Sequence, residues 1–336
     1  MTLEISCAFA TSMQSHEHAR IAEQLGYKRA YFYDSPAFYP DLWVQVCRAA
    51  ELTTTIGFGT AVMVPNCRHV MTTAAALAMV AEVAGTERPN FALGIGTGFT
   101  ARLAMGQRPL KWAFVRAYAV ALRSLLQGET VEWEGAPIKM LHPHGFGAPR
   151  PVDIEILIAA AGPKGEAVAR EVGDGVFAGL APVAGFERAA YLTLGTVLRE
   201  GEDPGSDRAI AAAGHAATGG AHWSIEFGGE GGFGRVEDMT GDGARWRAAY
   251  ADVPREELHL ALHEGHMMHV NERDRPFVTG DLMVQLGLAL DADGWRRKLA
   301  AFEAQGASEI VFTPGGDDIP GELEAFFAMA QARVRA

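Results

Sequence analysis

Along this chain, short apolar runs alternate with longer stretches in which apolar residues recur every three or four positions. The short runs Ile5–Phe9, Arg29–Asp34, Ile56–Val62 and Phe91–Gly96 read as strands. Ser15–Leu25, Leu42–Glu51, Val70–Ala84 and Leu110–Leu126 read as the helices that follow them. Residues 129–135 and Ile138–Met140 suggest a small hairpin set apart from this rhythm. Ile154–Ile158 is a branched apolar run of the kind a parallel sheet buries on both faces. Gly175–Gly179 reads as a sixth strand, Phe186–Glu200 as a helix, and Ala209–Ala213 as a seventh strand. From Thr218 to Asp242 the pattern breaks into a glycine-rich loop centred on residues 228–234, five of whose seven positions are glycine. Such a loop predicts a segment that is mobile without ligand and closes over a substrate. Ala244–Tyr250, Val278–Leu290 and Gly294–Gln305 read as helices, Glu309–Thr313 as the last strand and Pro320–Val334 as the closing helix. Eight strand–helix units with an insertion at about 205–290 predict one TIM (β/α)8 barrel over residues 1–336, rather than an open doubly wound sheet.

The elbow after Ile158 carries the first chemical hint. Ala159, Ala160, Ala161 and Gly162 remove side-chain bulk, and Pro163 suits a first helical position because its missing N–H would be unpaired there anyway. Free amides at a helix start, the positive end of its dipole and Lys164 beside them suit a phosphate. The rival reading is an ordinary strand-to-helix turn.

Composition narrows the classes. With 49% hydrophobic residues in 336, a large core is available, and no apolar run is long enough to span a bilayer. A net charge of −12 disfavours a nucleic-acid partner. Cys7, Cys47 and Cys67 are too few and too scattered for a disulfide framework, and no basic segment precedes the first strand. A cytoplasmic protein acting on a small molecule is expected, with no membrane partner.

Further motifs lie in order along the first half: Gln24-Leu25-Gly26-Tyr27, Tyr33-Asp34, Gly59-Thr60-Ala61-Val62, Asn66-Cys67-Arg68-His69, Leu93-Gly94-Ile95-Gly96-Thr97-Gly98, Ala161-Gly162-Pro163-Lys164 and Val172-Gly173-Asp174-Gly175-Val176. Together they resemble the luciferase-like superfamily of flavin- and deazaflavin-dependent oxidoreductases, especially its F420-dependent methylenetetrahydromethanopterin reductase-like branch. The resemblance covers roughly residues 3–180 and the final helix–strand–helix, and leaves about 205–290 unmatched. It implies a barrel holding F420, or alternatively FMN, at its C-terminal mouth. It also implies a backbone bulge, often a non-prolyl cis peptide, within Gly59 to Met63, and favours a homodimer.

On this resemblance Asp34 and His69 are the catalytic candidates. Asp34, Thr60, Ala61, Val62, Arg68, Thr97, Gly98, Ala160, Ala161, Gly162, Pro163, Lys164 and Gly165 are candidates to bind the cofactor. Arg68 has two readings: a partner for a cofactor phosphate or carboxylate, or a brace for its own loop. The deazaflavin enzymes often carry histidine after the strand-two aspartate; this chain has Ser35. Phe99 and Arg102, with His263 and His266, are candidates for the substrate side. His263 and His266 are three apart with Gly265 between them, whereas a zincin helix needs two histidines four apart, so no metal is expected. The activity implied is hydride transfer between F420 and a small organic substrate. An FMN monooxygenase and a cofactor-binding barrel without turnover are the alternatives. A barrel aldolase or isomerase is disfavoured, because no Schiff-base lysine stands at a strand end.

Overall fold

The structure is a computed structural model that describes residues 3–179, 181–228 and 234–332. The chain divides into two compact units. One runs to Thr193 and includes Ala301–Phe312; the other comprises Leu194–Ala300 and the residues from Thr313 onward.

The first unit is built on the strands β1 (Glu4–Phe9), β2 (Arg29–Phe32), β3 (Gly57–Met63), β4 (Phe91–Ile95), β7 (Ile154–Ala159), β8 (Gly175–Ala178), β9 (Ala189–Leu194) and β12 (Glu309–Thr313), with the hairpin β5 (Val131–Trp133) and β6 (Ala136–Ile138) between β4 and β7. The eight long strands close into a barrel in the order β1-β12-β9-β8-β7-β4-β3-β2, a TIM barrel. Helices α1 (Ser15–Leu25), α2 (Leu42–Leu52), α3 (Val70–Ala84), the short α4 (Phe99–Leu103), α5 (Trp112–Leu126) and α6 (Pro163–Val172) follow their strands. Glycines let the strands approach. A Cβ on Gly94 would lie 2.2 Å from the Thr60 carbonyl oxygen, and one on Gly59 would lie 2.5 Å from that of Ala92.

The barrel floor, at the N-terminal ends of the strands, is an ion network. Arg29 lies 3.3 Å from Glu4, 3.2 Å from Glu155 and 3.7 Å from Glu309. Arg188 reaches Glu155 at 2.9 Å and Glu309 at 2.6 Å, and the Tyr31 hydroxyl donates to Glu309 at 3.0 Å. Glu309 is wholly buried. Such an interior charge survives only when paired on several sides.

The second unit holds the small parallel pair β10 (Thr196–Val197) and β11 (Ala289–Leu290), and the helices α7 (Asp207–Phe227), α8 (Val236–Met239), α9 (Gly243–Ala248), α10 (Leu258–Leu262), α11 (Gly280–Gln285) and α13 (Ile319–Gln331); α12 (Ala292–Ala304) lies largely in it. Ala213, Ala217 and Ala221 of α7 pack with Trp246, Leu262 and Met283 in its core, and the Trp246 ring stacks on Phe277 at 5.3 Å.

Four sequence expectations fail here. The stretch Phe186–Glu200, expected as helix, holds two strands, Ala189–Leu194 and Thr196–Val197, and the seventh barrel strand is Ala189–Leu194, not Ala209–Ala213. Alanine-rich Ala189-Ala190-Tyr191 favours helix locally, but pairing with Val176–Ala178 on β8 overrides that preference. Ala209–Ala213 instead opens α7, started by the Ser206 hydroxyl accepting from the Ala209 amide at 3.2 Å. That helix runs on to Phe227, so the expected loop does not begin at Thr218. Within Val278–Leu290 only Gly280–Gln285 is helical. Most of the glycine-rich centre, residues 229–233, lies outside the described residues, and the expected lid with it. All three cysteines are free, and no described helix is long and apolar enough to cross a membrane.

Candidate active site at the mouth of the barrel

Apart from His263 and His266, the residues expected to act lie where strands end and helices begin, as barrel chemistry requires. β3 does not run smoothly into its loop. Its register with β4 shifts between Thr60 and Met63, and the Ala61–Val62 peptide is cis, within the window the resemblance implied. The Thr60 side chain is already used, since its hydroxyl donates to the Gly94 carbonyl at 2.7 Å.

Asp34 stands just past β2 and is 3% exposed. Its carboxylate accepts from the Val64 amide at 3.1 Å and from Arg68 Nη1 at 2.9 and 3.0 Å. Arg68 Nη2 pairs with Asp41, whose other oxygen caps α2 by accepting from the Trp43 amide at 2.9 Å. Burial pushes the Asp34 carboxyl up, against the opposing pull of Arg68. Tyr118 donates to the Arg68 carbonyl at 3.3 Å and shares a 2.6 Å bond with the Thr73 hydroxyl; burial carries its own pKa up to about 12. Asp34 and Arg68 therefore form a clasp that ties the end of β2 to the loop after β3. Asp41, Val64, Thr73 and Tyr118 complete it, and sequence reasoning missed all four. Asp41 before Leu42 carried a readable cap signal; Tyr118 in mid-helix carried none.

His69 is exposed and caps α3, its Nδ1 accepting from the Met71 amide at 3.1 Å. Its ring lies edge-on to Trp133 of the hairpin at 6.3 Å. After β4, the Thr97 carbonyl accepts from the Leu110 amide at 2.9 Å. Gly98 adopts φ 68°, and a Cβ there would lie 2.5 Å from Val64. Phe99 opens α4, and Arg102 within it donates from Nε to the Arg108 carbonyl at 2.6 Å. Arg102 Nη1 is buried without a hydrogen-bond partner among the described residues.

The elbow after β7 separates two kinds of glycine. Gly165 is buried in the first turn of α6, and a Cβ there would lie 2.6 Å from the Trp112 ring, so packing alone explains it. Gly162 is extended, with φ 172° and ψ 176°, a conformation open to any residue, and a Cβ there would meet nothing within 4 Å. No neighbouring side chain fills the space at Gly162. Ala160 is buried; Ala161, Pro163 and Lys164 are exposed around that opening, above the first amides of α6. These residues fit the phosphate of a flavin or deazaflavin.

His263 and His266 belong to the second unit, where both join a cluster of its own side chains. Among the described residues no group of three or more His, Cys, Asp or Glu side chains has metal-holding geometry.

Comparison with known proteins agrees with this architecture. Over 198 residues the chain is 30% identical to the 5,10-methylenetetrahydromethanopterin reductase of Methanolobus tindarius, a match covering 56% of this chain. It covers 56% of the relative too, so the chain spans only about half the length of the curated relative it matches. An F420-dependent secondary alcohol dehydrogenase in complex with an F420–acetone adduct superposes with a TM-score of 0.66 at 14% identity, over 99% of each chain. The coenzyme F420-dependent tetrahydromethanopterin reductase of Methanopyrus kandleri gives 0.64 at 15%, over 97% of this chain and 98% of that one. The FMN-bound oxygenating constituent of 3,6-diketocamphane monooxygenase from Pseudomonas putida gives 0.61 at 13%, over 99% of this chain and 98% of that one. At these identities the structures share a fold. Residues 13–221, more than half of the chain, match the luciferase-like monooxygenase family, and the chain belongs to that family.

Proposed function

We propose that this protein is an oxidoreductase that transfers hydride between coenzyme F420 and a small organic substrate. The observation that carries cofactor binding is the Gly162 elbow, an extended glycine with open space at the start of a ten-residue helix. The choice of F420 draws on the similarity to a methylenetetrahydromethanopterin reductase. FMN with an oxygen-dependent reaction is the second reading, favoured by the family's monooxygenase description.

When bound, the deazaflavin supplies a ring carbon that accepts or gives up hydride. The chain's own residues bind and orient. The amides opening α6, with Lys164 beside them, would hold the phosphate. Arg68 and the Val64 amide fix the Asp34 carboxylate, and through it the backbone at Val64, so that this edge of the mouth is set before a ligand arrives. In this arrangement Asp34 acts as a positioning residue, and His69 supports the helix start.

A bulky residue at position 162 tests the reading. Gly162→Leu should weaken F420 binding by at least about tenfold, a loss of about 1.4 kcal/mol, while the melting temperature stays unchanged. Wild-type affinity in Gly162→Leu would reduce the elbow to an ordinary turn.

A further inference from the structure

The second unit carries a polar cluster that the barrel chemistry does not use. On α7, His215, Gly219, His222 and Glu226 follow one another at three- or four-residue spacing, and so share one face of the helix. His215, His222 and Glu226 are 2%, 4% and 9% exposed. Asp274 accepts from His222 Nε2 at 2.6 Å, from Trp246 Nε1 at 2.7 Å and from the Tyr250 hydroxyl at 2.8 Å. In the tautomer that gives its Nε2 proton to Asp274, the His222 ring has Nδ1 as an acceptor.

Four buried atoms on this face have no hydrogen-bond partner among the described residues: His222 Nδ1, both ring nitrogens of His215, and Glu226 Oε2. That Glu226 oxygen lies 3.7 Å from His263 Nε2, and His263 Nδ1 lies 3.1 Å from His266 Nδ1. The His263 ring is 5.8 Å from that of His222, so the turn at 263–266 faces the same spot as the helix. A buried polar atom left unpaired costs about 1–3 kcal/mol, and folded proteins pair nearly all of them. Four together point to a group supplied from outside the chain.

Gly219 leaves room for it. Glycine inside a helix costs about 1 kcal/mol relative to alanine, and a Cβ at Gly219 would meet nothing within 4 Å. Gly214 and Gly220 of the same helix have neighbours that account for them: a Cβ would come to 2.8 Å from Val270 and 3.0 Å from Met239 respectively.

The unpaired atoms also select the ligand's chemistry. Burial, and secondarily the nearby His269, lowers the His215 pKa to about 4, so near neutrality one ring nitrogen donates and the other accepts. Burial likewise holds His266 well below the usual histidine range. The face therefore offers three acceptors, namely His222 Nδ1, Glu226 Oε2 and one nitrogen of His215, against a single donor. An anion would meet the Glu226 carboxylate at close range.

We propose that this face of α7, with His263 and His266 opposite it, binds a small molecule through hydrogen-bond donors, a hydroxyl or an amino group. The proposal does not depend on which ring the barrel holds. Glycerol and n-butylamine serve as probes, with acetate as the anionic control. Binding is read by calorimetry and by ring-nitrogen NMR of the full chain labelled at histidine. Glycerol or butylamine should move the His222 Nδ1 resonance saturably, the two probes separating a hydroxyl ligand from an ammonium one, and acetate should leave it in place. Glu226→Gln, which keeps the side chain's shape, should weaken binding by about fivefold, the difference between a hydrogen bond to a charged acceptor and one to a neutral acceptor. His222→Phe should abolish it, and the conservative Glu226→Gln remains decisive should His222→Phe unfold. The proposal fails if acetate binds as well as the donors, or if neither donor moves the resonance. It also fails if Zn2+ or Ni2+ remains bound in stoichiometric amount after dialysis, which would make the cluster a metal site.

Discussion

Gly162 and Gly165, three residues apart, answer to opposite demands, and that contrast can be measured. Gly165→Ala forces a Cβ against Trp112 and should lower stability by about 2 kcal/mol, read as an earlier melt. A Cβ at position 162 meets no protein atom within 4 Å, so Gly162→Val should leave the melt where it is while weakening cofactor binding. The sequence made both glycines look alike, because space around a Cβ is set by packing that local pattern does not encode. Arg68 shows the same limit. Its two sequence readings were a cofactor anion or its own loop, and the structure commits its two Nη atoms to Asp34 and Asp41. These partners, 34 and 27 residues away, become neighbours only when β2 pairs with β3. His215 adds a pH dependence. Its pKa falls from 6.5 to about 4 on folding, so between those values the unfolded chain binds the extra proton. The His215 contribution is fully present above about pH 6.5 and is lost as pH falls through 4, by up to about 3 kcal/mol. A His215→Asn variant should show a flatter melting profile across that range; an unchanged slope would locate the dependence elsewhere.

Among the elements, the loop after β3 is held by a contact distant in sequence. Removing the guanidinium in Arg68→Ala leaves the buried Asp34 carboxylate with only the Val64 amide, and should cost about 3 kcal/mol. The double variant Asp34→Ala/Arg68→Ala should lose clearly less than the sum of the single losses, because the stranded charge goes with its partner. Additive losses in a denaturant series would argue against the clasp. The strand endings at Asp34, Val62 and Ile158 were legible because short apolar runs closed by polar or small residues mark them. The misread pair, Ala189–Leu194 and Ala209–Ala213, shows where that signal fails. Both are short and alanine-rich, and the difference lies in tertiary pairing with β8 for one and a serine cap for the other.

At the scale of the whole molecule, the barrel was legible because eight strand–helix units recur along the chain, even though the seventh was misplaced. The floor network was not legible, because Glu4, Arg29, Glu155, Arg188 and Glu309 are scattered over the sequence and meet only in the closed sheet. Glu309→Gln should cost about 3 kcal/mol by leaving Arg29 and Arg188 short of a counter-charge. Cofactor affinity should persist in the folded fraction, since the floor lies at the strand ends opposite the mouth. The polar face of α7 could not be read as a site either, since its meaning depends on which atoms remain unpaired after folding. The central claim is that the barrel binds F420 and uses it for hydride transfer. The direct measurement is a titration of the apo-protein with F420 and with FMN without oxygen, followed by reduction of the bound ring. Saturable F420 binding, lost in Gly162→Leu, with oxygen-independent reduction is the expected result. Tight FMN binding with oxygen-dependent turnover and no F420 binding would contradict it.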